Sequence, residues 1–122
     1  MNKHHLPQEQ YLQIEEIQKA FFNQLQKDAA MSGISIEIEA IQDLPLLEII
    51  QSIKNVIQKI RHESSGIQKI QLWLYRTDVS ETQITNTFHT SPHSYSKTIA
   101  ELIVKRTLQK VILRYLHQHH KL

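Results

Sequence analysis

The sequence predicts an all-α fold: a single helical domain of about five helices, three of them long. Three observations carry this expectation. Only two glycines and three prolines punctuate the 122 residues, whereas an all-β domain of this length draws on Gly, Asn and Pro for its many tight turns. Three long stretches repeat their apolar residues at the helical period rather than in alternation. The last of these, residues 96–117, contains neither Gly nor Pro, so no residue in it breaks a helix.

The first helix is expected to start at Pro7, whose missing N–H suits a first turn. Tyr11, Ile14, Ile17, Phe21, Phe22, Leu25 and Ala29 share one face, and the helix ends near Ala30, ahead of Ser32 and Gly33. Residues 34–39 alternate apolar and polar side chains, the signature of a short strand or an isolated extended segment. Asp43, Leu44 and Pro45 open a second helix with Glu48 in its first turns, where the helix dipole favours negative charge. Its stripe is Leu46, Ile49, Ile50, Ile53, Val56, Ile57 and Ile60.

Residues 67–76 read two ways. As a helix they gather Ile67, Ile70, Trp73 and Leu74, with Ser65 and Gln68 spaced as a capping box. As a strand they alternate, and residues 69–75 could pair with 34–39 in an α+β alternative. The helical reading is preferred. Ser80 and Gln83 have capping-box spacing before a short helix to about Phe88, and His89 to Ser96 is a polar loop. In the last helix Ala100, Val104, Thr107, Leu108, Val111, Ile112 and Tyr115 form a broad face. Ile99, Leu102 and Ile103 lie on its other side, so the first half is expected to be buried nearly all round. The domain spans 1–122, with frayed ends at about 1–6 and 118–122.

At 40% hydrophobic and 21% charged the chain is globular material. It has no Cys, hence no disulfide or thiolate metal site. No apolar run reaches membrane-spanning length, and residues 1–7 do not read as a signal peptide. Together these features imply a cytoplasmic protein without a membrane partner. A formal charge of +2 implies no acidic partner by itself.

Leu74, Tyr75, Arg76, Thr77, Asp78, Val79, Ser80 and Glu81, followed by Ala100, Glu101, Leu102, Ile103, Lys105 and Arg106, resemble a set of small bacterial proteins. In that set Leu-Tyr-Arg, any residue, Asp, an aliphatic, Ser or Pro, and Glu precede Ala-Glu-Leu-Ile with a basic pair. The resemblance covers the C-terminal half. It implies a helix-to-helix turn at residues 75–81 and assigns no activity.

The densest polar cluster is Tyr75, Arg76, Asp78, Ser80 and Glu81. Read as a site, Arg76 grips an anion and Asp78 or Glu81 acts as acid or base. Read as a turn, Asp78 and Ser80 cap the next helix, and Arg76 pairs with Asp78 or a helix C-terminus. A second cluster, Arg106, Lys110, Arg114, His117 and Lys121, lies within about 80° around the last helix and could track phosphates. It lacks an interleaved aromatic platform. Eight histidines are present, and imidazoles suit zinc, copper or nickel. Ser91 and Pro92 separate His89 from His93, however, and no Glu sits in a metalloprotease frame. No metal or cofactor is expected. No phosphate loop or nucleophile elbow appears, so catalysis is not predicted.

The reading that results is a small protein-interaction or scaffold domain, partnered by another protein or by itself as a homo-oligomer. One alternative is a nucleic-acid-binding module using Arg106, Lys110 and Arg114. Another is a small enzyme centred on Arg76 and Asp78. If the domain cannot cover both sides of the apolar stretch from Ile99 to Val104, that surface is expected to drive self-association.

Overall fold

The structure, a computed structural model, describes residues 8–90 and 93–119. Among them the elements in order are α1 (Gln8–Tyr11), α2 (Glu15–Met31), a 3-10 turn (Ile38–Ala40), α3 (Leu46–Ile60), α4 (Gly66–Arg76), α5 (Glu81–Thr90) and α6 (Tyr95–Gln118). The fold is all-α, as the apolar periods predict. The α+β alternative is overturned: no strand occurs among the described residues, and the ambiguous segment is the helix α4.

α6 is the axis of the molecule. α3 makes its most extensive contact there, and α1, α2 and α5 also pack on it. α4 packs on α2 and α3, closing a four-helix ring in which α6 touches α3, α3 touches α4, α4 touches α2 and α2 touches α6. The ring encloses Ile17, Phe21 and Leu25 of α2, Ile49, Ile53 and Ile57 of α3, Ile70 and Trp73 of α4, and Ile99, Ile103 and Leu108 of α6, all fully buried. Ile is a mediocre helix former by up to about 0.7 kcal/mol. Burying its side chain returns roughly 1.5–3 kcal/mol, so the five isoleucines of α3, all buried, favour the helix on balance.

The N-terminal half of α6 is buried nearly all round, because α1 and α5 cover the side that the ring leaves open. Ile99, Ala100, Leu102, Ile103 and Val104 are all buried within the chain, so the condition for self-association through this stretch is not met.

The expected continuous first helix is broken at residues 12–14 by two tight bonds, Gln13 N to Gln10 O at 3.1 Å and Ile14 N to Tyr11 O at 3.0 Å. The reason is Leu12. On a straight helix it would lie about 140° from the centre of the apolar face. The break lets it bury with only 4% exposed, beside Tyr11 at 8%. Pro45 also differs from expectation: it is the N-cap of α3 rather than its first residue, with φ −61° and ψ 156°.

Gly66 opens α4 where the chain crosses the end of α3. A Cβ there would lie 1.8 Å from the carbonyl oxygen of Ile60, so only glycine fits. The crossing holds Ser65 at φ 61°, and its side chain makes no cap bond. The capping box expected from Ser65 and Gln68 is therefore absent. The frayed ends expected at 1–6 and 118–122 lie outside the described residues, except that Gln118 closes α6 and His119 Nε2 lies 3.2 Å from Glu16 Oε2.

Candidate functional site

Two helices end with the same backbone device. After α2, Gly33 N bonds Ala30 O at 3.0 Å and Ile34 N bonds Ala29 O at 2.8 Å, with Gly33 at φ 82°. After α4, Asp78 N bonds Tyr75 O at 3.1 Å and Val79 N bonds Leu74 O at 3.0 Å, with Asp78 at φ 63°. This paired bonding satisfies carbonyls that a helix end otherwise leaves open, and it needs a left-handed residue that is usually Gly. Asp78 takes that position despite its Cβ.

Its carboxylate reaches α6, where Lys110 Nζ lies 2.8 Å from Asp78 Oδ2. The hydrogen bond and charge of Lys110 hold the Asp78 carboxyl below its ordinary value; slight desolvation opposes this, and Arg106 adds to it. The structure thus joins residues from both clusters that the sequence marked out. Ser80 caps α5 as expected, its Oγ accepting from Gln83 N at 3.0 Å. Asp78 does not cap α5, and Arg76 does not pair with it.

The basic stripe does not present five equivalent cations. Lys110 is engaged by Asp78. Arg106 donates to Gln109 Oε1 at 2.9 Å, and its Nε is enclosed without a partner. Arg114 and His117 are exposed, and Lys121 lies outside the described residues. Arg106 borders a cleft of about 370 Å³ between α5 and α6, with Gln83, Thr87, Glu101 and Gln109. Glu101 there is 3.3 Å from His93 and 3.7 Å from Lys105, and the Thr87 hydroxyl donates to Gln83 O at 2.8 Å. The cleft therefore offers a cation and amides, with its carboxylate and hydroxyl already engaged. Arg76 and Asp78, the residues of the enzyme alternative, reach different neighbours: Arg76 the end of α2, and Asp78 the face of α6.

A further exposed feature is the outward face of α4. Ile70, Trp73 and Leu74 face the core, and Leu72 and Tyr75 lie opposite them on the helix. Tyr75 is 78% exposed, Leu72 39% and Met31, at the end of α2, 50%. Arg76 links them. Its Nη1 lies 3.7 Å from Met31 Sδ, and Leu72 is one helical turn away from it. No carboxylate pairs with Arg76 among the described residues. The patch is thus Met31 and Leu72 about an unneutralised guanidinium, with the exposed Tyr75 next to Arg76 in the chain. Sequence reading singled out Arg76 and missed Met31 and Leu72. The available signal was that a helical reading leaves Leu72 and Tyr75 off the buried stripe.

Among the described residues no group of three or more His, Asp or Glu could hold a metal ion, and no helix is long and apolar enough to cross a membrane. Compared with protein-family models, curated proteins and solved structures, the chain matches none of them.

Proposed function

We propose that the chain is a non-catalytic protein-interaction domain of the cytoplasm, and that it contacts its partner through Met31, Leu72 and Tyr75 around Arg76. The observation that carries this reading is Tyr75, an aromatic side chain 78% exposed and next in the chain to Arg76, a cation with no carboxylate partner among the described residues. Tyr, Met and Arg are enriched at the cores of protein interfaces, and Tyr and Arg anchors carry much of the binding energy. A rigid helix face also presents them with little ordering cost. The partner that fits is a protein surface offering an apolar hollow to Tyr75 and a carboxylate to Arg76.

The test places a photo-crosslinking residue at position 72 or, as a control, at the exposed position Gln58. A discrete adduct in cells from position 72, absent from position 58 and lost when Arg76→Glu is added, supports the reading. Sedimentation of the purified chain tells whether the adduct is a second copy. Tyr75→Ala is expected to weaken the adduct while changing stability by no more than about 0.5 kcal/mol, since it leaves the core intact. No adduct from position 72, or one indifferent to both substitutions, would overturn it.

A further inference from the structure

Residues 34–37 belong to no helix or sheet, and Glu37 has extended backbone angles, φ −88° and ψ 92°. Their side chains alternate: Ile34 and Ile36 are buried, and Ser35 and Glu37 are exposed. In the described residues, the backbone N–H groups of Ser35, Ile36 and Glu37 and the carbonyls of Ile34, Ser35 and Ile36 have no hydrogen-bond partner. Backbone polar groups without partners demand water or another chain. A segment in this state has the open backbone that a strand can pair with, as the edge of a sheet does.

Beside this edge runs a trough. One part, of about 340 Å³, lies between residues 35–37 and the Ile53 and Val56 side of α3. The other, of about 300 Å³, continues past Gly33 toward Lys59 and Lys69. The two share Ser35 and Val56, so they form one trough along the segment. Val56 is only partly buried, so the helix wall is apolar there. At one end Glu37 lines the trough without an ion pair among the described residues, with the exposed Glu39 close behind it in the chain.

We infer that residues 34–37 accept one extended peptide strand of a partner protein by edge pairing, with an apolar side chain against Val56 and a basic side chain at Glu37. The ladder bonds satisfy those idle backbone groups that point into the trough, those on the opposite edge staying with water, and alternate side chains of the peptide read the trough, as in other strand-addition complexes. At the Glu37 end the unpaired carboxylate favours a basic side chain. This surface is separate from the α4 face, and the inference does not rest on the function proposed for that face.

The test is a titration of the isotope-labelled full chain, followed by amide chemical shifts. The probe is the capped peptide Thr-Val-Thr-Val-Thr-Lys. Two controls are the same peptide N-methylated at alternate residues and the peptide with Glu in place of Lys. Saturable shifts confined to residues 33–37 and 52–60 are expected. The N-methylated peptide should bind about tenfold or more weakly, since it cannot donate its ladder bonds. Glu37→Lys should reverse the preference between the Lys and Glu peptides, and Ser35→Pro should weaken both. If Ser35→Pro disturbs the fold by circular dichroism, the N-methylated peptide alone tests the ladder. No shift at millimolar peptide, or equal binding of the N-methylated peptide, overturns the inference. Concentration-dependent shifts at residues 35–37 without peptide overturn it in favour of pairing between two copies.

Discussion

α3 and α5 are both amphipathic helices, yet they are held in opposite ways. α3 buries six side chains and closes two sides of the four-helix ring. α5 buries none. Only Ile84 and Phe88 lean on the core, half-buried, and Phe88 stacks on Tyr95 at 5.8 Å between ring centroids. Tyr95 in turn lies under the Arg61 guanidinium, 4.6 Å from the ring centroid. A periodic pattern therefore specifies a helix without specifying how firmly the helix is anchored. Anchoring follows from the apolar area that the pattern brings to the core.

The comparison is broken most directly at Ile57. It is fully buried, and Ile57→Ala is expected to cost about 2–5 kcal/mol in denaturant unfolding. A loss under about 0.5 kcal/mol would mean that α3 is no better anchored than α5. Phe88→Ala should cost less, about 1–2 kcal/mol, because a half-buried ring loses less than the roughly 3–5 kcal/mol of a fully buried one. Hydrogen exchange sharpens the contrast. The α5 amides should exchange through local opening, while the α3 amides wait for global unfolding. Equal protection of the two helices would contradict it.

The smallest effect concerns the turn between α4 and α5, where Asp78 is tied to Lys110. The folded-state carboxyl titrates below its ordinary value of 3.8. Its contribution to stability is therefore present above that value and lost as pH falls through the lowered one. Unfolding midpoints of the native chain and of Lys110→Met should differ slightly at neutral pH and converge in strong acid. Because the pair is exposed to solvent, salt should shrink the difference as well. A gap that widened in acid would reverse the assignment.

How much of this was legible depended on range. α2, α3 and α6 could be read because each carries a wide apolar face, and the near-total burial of the first half of α6 followed from Ile99, Leu102 and Ile103 lying off the main stripe. The break before α2 was written in Leu12, an apolar residue on the polar side of its helix, but one residue out of register is weak signal. α4 was ambiguous because of its outward face. Leu72 and Tyr75 face outward, and their apolar character blurs the helical period into an alternation. The end of α4 was misread because Asp before Ser resembles a cap, while the left-handed position it occupies is usually filled by Gly. Its bond to Lys110 spans 32 positions, a separation that local spacing does not encode. The idle backbone of residues 34–37 was half visible: the alternation marked an extended segment, and the lack of a partner strand emerged only from the fold.

Trp73 gives the molecule its own reporter. It is the only tryptophan in the chain, it is fully buried where α4 closes the ring, and its indole N–H has no hydrogen-bond partner. An indole in such dry, apolar surroundings emits toward the blue and moves to the red when water reaches it. Its fluorescence therefore follows the opening of the ring and stays silent when α5 alone lifts away. Set beside far-ultraviolet circular dichroism, which counts every helix, this one side chain separates loss of the peripheral helix from loss of the core in a single unlabelled sample.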